Sequence, residues 1–184
     1  MDIELKLLDL LQNIHNPIFD KIMIFITRLG DVGLIWIVLT IILLILPKTR
    51  KAGVILTVAI CIDTILCNGI LKPLFARIRP FDVNTSVQLL IPKPKDFSFP
   101  SGHTAISFAV TTALYFCNIA NKRKLFKPAI FLSILIAFSR MYLYVHYPSD
   151  ILGGAIIGAI SGFLGYYAVK YISNFLSNSS FKIK

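Results

Sequence analysis

Residues 52–71, AGVILTVAICIDTILCNGIL, form an unbroken apolar run in which Asp63 is the single charged side chain. At about 1.5 Å per residue, twenty helical residues match the roughly 30 Å hydrocarbon core of a bilayer. Working outward, four further stretches share this character: 33–46, 104–120, 128–144 and 151–171. The first is short and recruits neighbours from Leu29 onward. The pattern predicts an all-α, integral membrane helical bundle with five spanning helices. Composition agrees, since 56% of the 184 residues are hydrophobic and only 15% charged, against about 25% charged in soluble domains. A soluble globule this apolar would expose large sticky patches. Disorder, a disulfide-stapled secreted fold and a collagen-like chain are excluded on the same grounds.

The net charge of +10 follows the connections. Lys48, Arg50 and Lys51 separate the first two spans, Lys122, Arg123, Lys124 and Lys127 the third and fourth, and Lys170, Lys182 and Lys184 follow the fifth. If the spans alternate, all three clusters share one side, which the positive-inside rule makes cytoplasmic. The basic balance is thus topological, and no nucleic-acid partner is expected. The opposite, outer side receives residues 72–103 and 145–150. Residues 1–30 place apolar side chains at 3, 7, 10, 11 and 14 on one helical face and carry Asp20 and Lys21 within the second half, a pattern of interfacial amphipathic helices. A sixth span here is the alternative. The expected organisation is interfacial helices at 1–30, a transmembrane core at 31–175 and a cytoplasmic tail at 176–184. Asp2 and Glu4 at the start speak against a cleavable signal peptide. Cys61, Cys67 and Cys117 all fall in apolar stretches and are expected to pack, without a disulfide or a metal.

The outer side gathers Lys72, Arg77, Arg79, His103, Arg140, His146 and Asp150. Cations at such depth usually line a polar site. Lys72 and Arg79 are seven residues apart and share a face if the helix continues to Pro80, a pairing suited to an anion with several oxygens, although two snorkelling charges would look the same. Arg77 points elsewhere and reads as an interfacial anchor. Pro100-Ser101-Gly102-His103 precedes the third span, where a helix start offers free amides and Gly102 admits close approach, or simply marks a capped helix. His146 and Asp150 bracket Pro148 at the start of the fifth helix. A carboxylate accepting from one imidazole nitrogen leaves the other as nucleophile or base, unless the pair is only structural. Together, three cations, two histidines, a carboxylate and a glycine-containing helix start make a site for a phosphate group, with one histidine attacking and the other protonating the leaving oxygen.

KPLFARIRP (72–80), PSGH (100–103) and SRMYLYVHYPSD (139–150) resemble, in identity and spacing, the three signature motifs of the type 2 phosphatidic acid phosphatase family. The resemblance covers about residues 33–171. It implies a metal-independent membrane lipid phosphatase that needs no cofactor. His146 would form a phosphohistidine, oriented by Asp150. His103 would protonate the leaving group and then activate water, while Lys72, Arg79, Arg140, Ser101 and Gly102 would hold the phosphoryl oxygens. The short chain, outward-facing site, interfacial N-terminus and LIPKPKDFSFPSGH stretch look like the undecaprenyl diphosphate phosphatases of bacteria, which implies a cell-membrane enzyme acting on a lipid diphosphate of the outer leaflet. Phosphatidylglycerol phosphate and phosphatidic acid phosphatases are the close alternatives, a lipid phosphotransferase a remoter one. A non-catalytic lipid carrier is opposed by the intact His103, His146 and Asp150. A vanadium haloperoxidase, which shares the anion pocket, is opposed by the apolar spans.

Gly154, Gly158 and Gly162 recur every fourth residue and predict close helix packing, within the chain or with another subunit. Asp63, outside the three motifs, is expected to form a polar tie between helices, with Thr57 and Asn68 nearby.

Overall fold

In the computed structural model, residues 2–117 and 122–179 are described, and among them no strand occurs. Lys182 and Lys184 of the expected basic end, and residues 118–120 of the third apolar stretch, lie outside the described residues. Helix α1 (Asp2–Gln12) is followed by α2 (Pro17–Leu29), which starts where the Asn16 side chain accepts from the amides of Ile18 and Phe19 and Pro17 takes the first turn. A 3₁₀ turn, Asp31–Gly33, separates α2 from α3 (Leu34–Ile45). Val32 and Gly33 both have positive φ there (53° and 72°), a conformation that suits glycine and is unusual for valine.

Helix α4 (Arg50–Asp63) passes into a π-helical segment, Thr64–Leu71, and then the single turn of α5 (Lys72–Phe75). Ala76, at φ 42°, ends that helix four residues before Pro80, so the helix does not carry Lys72 and Arg79 on one continuous face. The short α6 (Pro80–Val83) leads into an irregular loop, and α7 (Gly102–Phe116), α8 (Lys122–Tyr142) and α9 (Pro148–Ser179) complete the chain. The helical runs Arg50–Val83, Leu125–Tyr142 and Pro148–Ser177 are long and apolar enough to cross a membrane. The pair α2–α3, bent by 46°, adds a fourth if it counts as one broken span. The sequence predicted five spans. Of the other two expected spans, 33–46 is the second half of this bent pair, and 104–120 contains α7, whose 15 residues end just before the undescribed 118–121.

The packing of α7 on α9 explains the glycine repeat. A β-carbon at Gly154, Gly158 or Gly162 would stand 2.6, 2.1 and 2.3 Å from the carbonyl oxygens of Ser101, Ala105 and Ala109 respectively. The neighbour is therefore a helix of the same chain. Buried polar ties reinforce the bundle: Trp36 Nε1 donates to Ser107 Oγ at 2.8 Å, and Thr111 and Ser133 share a hydrogen bond at 2.8 Å between α7 and α8. The N-terminal helices are built into the core as well. Leu8 is fully buried, Tyr142 donates to Asp20 and Tyr144 to Asp9, whereas Ile3, Leu7, Leu10 and Ile14 face outward. Cys67 and Cys117 are buried as expected, but Cys61 lies on the outward face of α4.

Candidate active site

The starts of α7 and α9 meet where Ser101 N donates to Asp150 O at 3.1 Å. Around this junction converge the end of α8 with Arg140, the turn 143–147 with His146, α5 with Lys72 and the irregular stretch 76–79 with Arg79. They enclose a cavity of about 440 Å³ lined by Lys72, Arg79, Gly102, His103, Arg140 and His146, together with Thr27, Arg28, Asp31, Val32, Ile91, Pro92, Pro94 and Asp96. Two of the predicted residues, Ser101 and Asp150, do not line it. Both are fully buried: the Ser101 hydroxyl accepts from Thr104 at 3.0 Å, and Asp150 lies behind His146.

His146 decides the chemistry of the cavity. Its Nε2 is 3.2 Å from Arg79 Nη1. Arginine only donates, so this contact assigns the lone pair to Nε2 and the proton to Nδ1. Nδ1 faces Asp150 Oδ2 at 3.4 Å, within ion-pair range but long for a hydrogen bond. The carboxylate is meanwhile fixed by Ser98 Oγ, by the Tyr147 amide at 2.9 Å and by Arg77. Burial first, and then the charges of Arg79, Arg140 and Lys72, hold the His146 imidazole well below its ordinary 6.5, so it is neutral at neutral pH. A neutral ring with its lone pair turned toward a cationic cavity has the chemistry of a nucleophile or a base.

The cations differ in what holds them. Lys72 Nζ donates to Asp96 Oδ2, and Arg79 Nη2 to Asp96 Oδ1 at 2.6 Å. Arg79 Nε and Nη1 are anchored on the carbonyls of Asp96 and Val145, at 2.8 and 2.7 Å. Arg140 donates to Thr27 Oγ1, while its buried Nε has no hydrogen-bond partner among the described residues. Arg140 lines the cavity beside Lys72 and Arg79, so three guanidinium and ammonium charges face one space suited to an anion. The helix dipole of α7 adds positive potential where Gly102 opens onto the cavity.

Residues 51–174, which contain all three motifs, match the PAP2 superfamily. The chain belongs to the PAP2 superfamily. It is 36% identical over 150 residues to the undecaprenyl-diphosphatase BcrC of Bacillus subtilis, covering 82% of this chain and 75% of that one. It is 33% identical over 178 residues to a lipid A 4'-phosphatase of Bacteroides thetaiotaomicron, covering 90% and 76%. Its fold is similar to the crystal structure of a transmembrane PAP2 type phosphatidylglycerolphosphate phosphatase from Bacillus subtilis, with TM-score 0.73 and 27% identity, over 100% of this chain and 87% of that one.

Around this PAP2 site stand four residues that the sequence did not mark as part of it. Asp31, in the 3₁₀ turn, meets His103 Nε2 at 3.0 Å. Asp96 bridges Lys72 and Arg79. Burial raises its carboxyl, but the hydrogen bonds and charges of Lys72 and Arg79 outweigh that and pull it down to about 2, so it is ionised at neutral pH. Arg77 is not an interfacial anchor. It contacts Asp150 Oδ1 at 2.6 Å, Glu4 at 2.7 Å and Ser149 Oγ at 2.6 Å, and stacks over the Tyr147 ring. Glu4, through Arg77 and the Ser149 amide, ties α1 to the back of the site. Single acidic residues in loops carry no periodic signal, and only the local charge surplus of Lys72, Arg79 and Arg140 hinted that counter-charges must stand nearby.

Asp63, buried at the end of α4, interacts with the Ser161 side chain of α9, a polar tie between helices, although its Oδ1 has no hydrogen-bond partner among the described residues and Thr57 bonds back to Gly53 within its own helix. With Thr64 and Asn68, Asp63 also lines a smaller adjoining cavity of about 280 Å³ that shares His103 and Lys72 with the first.

Proposed function

We propose that this PAP2 protein is a membrane lipid phosphatase that works through a phosphohistidine on His146, with undecaprenyl diphosphate as its preferred substrate. The observation that carries the reading is the Arg79–His146 contact, which turns the lone pair of Nε2 toward a cavity walled by Lys72, Arg79 and Arg140. In the first step Nε2 attacks phosphorus and the bond to the leaving oxygen breaks as His103 delivers a proton to it. The developing negative charge on the phosphoryl oxygens falls on the cations and the Gly102 amide. In the second step water attacks the phosphohistidine, His103 takes its proton, the P–N bond breaks and inorganic phosphate is released. Asp150 stabilises the Nδ1–H side of the ring throughout. Fixed cations take the role a metal would have, so the reaction is expected to proceed in excess chelator.

Substrate preference rests on the relatives and on the cavity mouth. Ile91, Pro92 and Pro94 give the entrance aliphatic surface, suited to a long prenyl tail at about 25 cal/mol per Å² buried. The lipid A 4'-phosphatase relative, which aligns with 90% of the chain, favours a second reading in which the leaving group is a phosphorylated glycolipid. The testing experiment is phosphate release by the purified protein, with EDTA present, from undecaprenyl diphosphate, a lipid A phosphate, phosphatidylglycerol phosphate and phosphatidic acid. The proposal expects highest kcat/KM on undecaprenyl diphosphate. A tenfold preference for another of these lipids moves the substrate, and absence of phosphate release from all four ends the reading. We also propose that the site faces the outer side of the cell membrane, on the strength of the basic clusters on the opposite connections.

A further inference from the structure

We propose that Asp96 is a product-expelling residue, whose carboxylate competes with inorganic phosphate for Lys72 and Arg79 and so clears the cradle after each turnover. The inference rests on the phosphatase reading above, because it takes these two cations as phosphoryl ligands.

Three features of the structure combine. First, the Asp96 carboxylate spans the two cations as a phosphoryl group would, one oxygen to Lys72 Nζ and the other to Arg79 Nη2. Second, burial is asymmetric: the side chains of Lys72 and Arg79 are 8% and 4% exposed, that of Asp96 51%. The cations are held away from water, whereas the half-exposed carboxylate stands at the edge of solvent. Third, the backbone beside it is anchored by bonds that do not involve the carboxylate. Arg79 Nε holds the Asp96 carbonyl at 2.8 Å, and Ser98 N donates to Arg77 O at 2.8 Å. The carboxylate is thus delivered at high effective concentration whether or not the cradle is occupied.

The consequence follows from competition. An internal occupant lowers the apparent affinity of every anion for the cradle by the fraction of time that the cradle is closed. A lipid substrate offsets this with its tail. Inorganic phosphate, cut from the tail by the reaction, has only the cradle to hold it, and the returning carboxylate displaces it. Without such a competitor three buried cations would bind product tightly and hold the site occupied.

The test is isothermal titration of the purified full-length protein with inorganic phosphate, wild type against Asp96→Asn, together with product inhibition of lipid turnover. Asparagine keeps the shape and the carbonyl anchor but not the charge, and Asp96→Ser serves if the first variant does not fold. The expected result is phosphate binding tightened by about tenfold or more, with an equal fall in the phosphate inhibition constant. Unchanged or weaker phosphate binding in a folded variant overturns the proposal. A wild-type protein that binds no phosphate and hydrolyses none of the lipids would instead defeat the phosphatase reading itself, so the two failures are distinguishable.

Discussion

Arg77 Nη1 holds Asp150 Oδ1 at 2.6 Å, behind the residue that faces the cavity. Asp150 is completely buried and Arg77 is its only ion-pair partner other than His146 among the described residues. The arginine therefore sits one step further from the substrate than the carboxylate it positions, and α1 adds Glu4 as a third member of the chain.

Replacing Arg77 by alanine should lower kcat at least tenfold while leaving KM nearly unchanged, because the group it disturbs holds the nucleophile and not the phosphate. Removing one member of a buried pair typically costs about 3–5 kcal/mol; Arg77 is partly exposed, so the loss of stability should fall below that range. Kinetics and thermal unfolding of Arg77→Ala and Arg77→Lys check this, and the lysine variant should recover part of kcat. A raised KM with normal kcat would assign Arg77 to substrate binding instead.

His146→Ala should abolish turnover, since the other histidine lining the cavity, His103, is engaged with Asp31 and is assigned the proton transfers rather than the attack. His103→Ala should slow turnover by about 10²–10⁴-fold, the usual worth of general acid–base assistance. Trapping with radiolabelled substrate should show an acid-labile, base-stable phosphoenzyme in wild type and none in His146→Ala. Labelled protein in the His146→Ala variant would place the nucleophile elsewhere.

The pH behaviour of His146 has a definite sign. Burial and three neighbouring cations favour the neutral ring, so its folded pKa lies well below the ordinary 6.5. The unfolded chain then binds a proton between these two values that the folded chain does not. Stability contributed by this group is full above 6.5 and is lost as pH falls toward the folded value. Histidine-resolved ¹⁵N NMR should show His146 still neutral at pH 6, with the proton on Nδ1. A titration midpoint at or above 6.5 contradicts the environment described.

Orientation is checked by cysteine labelling. A cysteine at Lys95, in the loop beside Asp96, should react with an impermeant reagent in intact cells. One at Lys124, in the basic connection, should react only after the membrane is opened. The reverse pattern would turn the site to the cytoplasm and exclude an outer-leaflet lipid as substrate.

Much of the site was legible because the chemistry is carried by clustered residues at fixed spacing. Lys72, Arg79, Gly102, His103, Arg140 and His146 meet at one cavity, as the shared outer side of their segments predicted. What escaped was set by backbone geometry. Arg77 looked detached because periodicity extends the helix to Pro80, whereas the positive φ of Ala76 ends it early and lets the irregular chain turn Arg77 onto Asp150. Asp31 was hidden in the N-terminal segment because the break between α2 and α3, which carries it to His103, reads in sequence as the edge of an apolar run. Asp96 lies in a loop whose prolines announce only the lack of a helix. The bend at 30–33 likewise concealed that the first expected span continues a preceding helix.

The glycines between α7 and α9 give the protein a mechanical vulnerability far from its chemistry. Gly158 lies eight residues beyond Asp150, about 12 Å along the helix axis, yet a methyl group there would meet a backbone carbonyl that no rotamer change can move. The two rods would have to part as whole bodies. At their upper ends, where a single amide of Ser101 clasps the carbonyl of Asp150, that parting would be felt as a lever feels a wedge, drawing His103 away from His146 without altering either one.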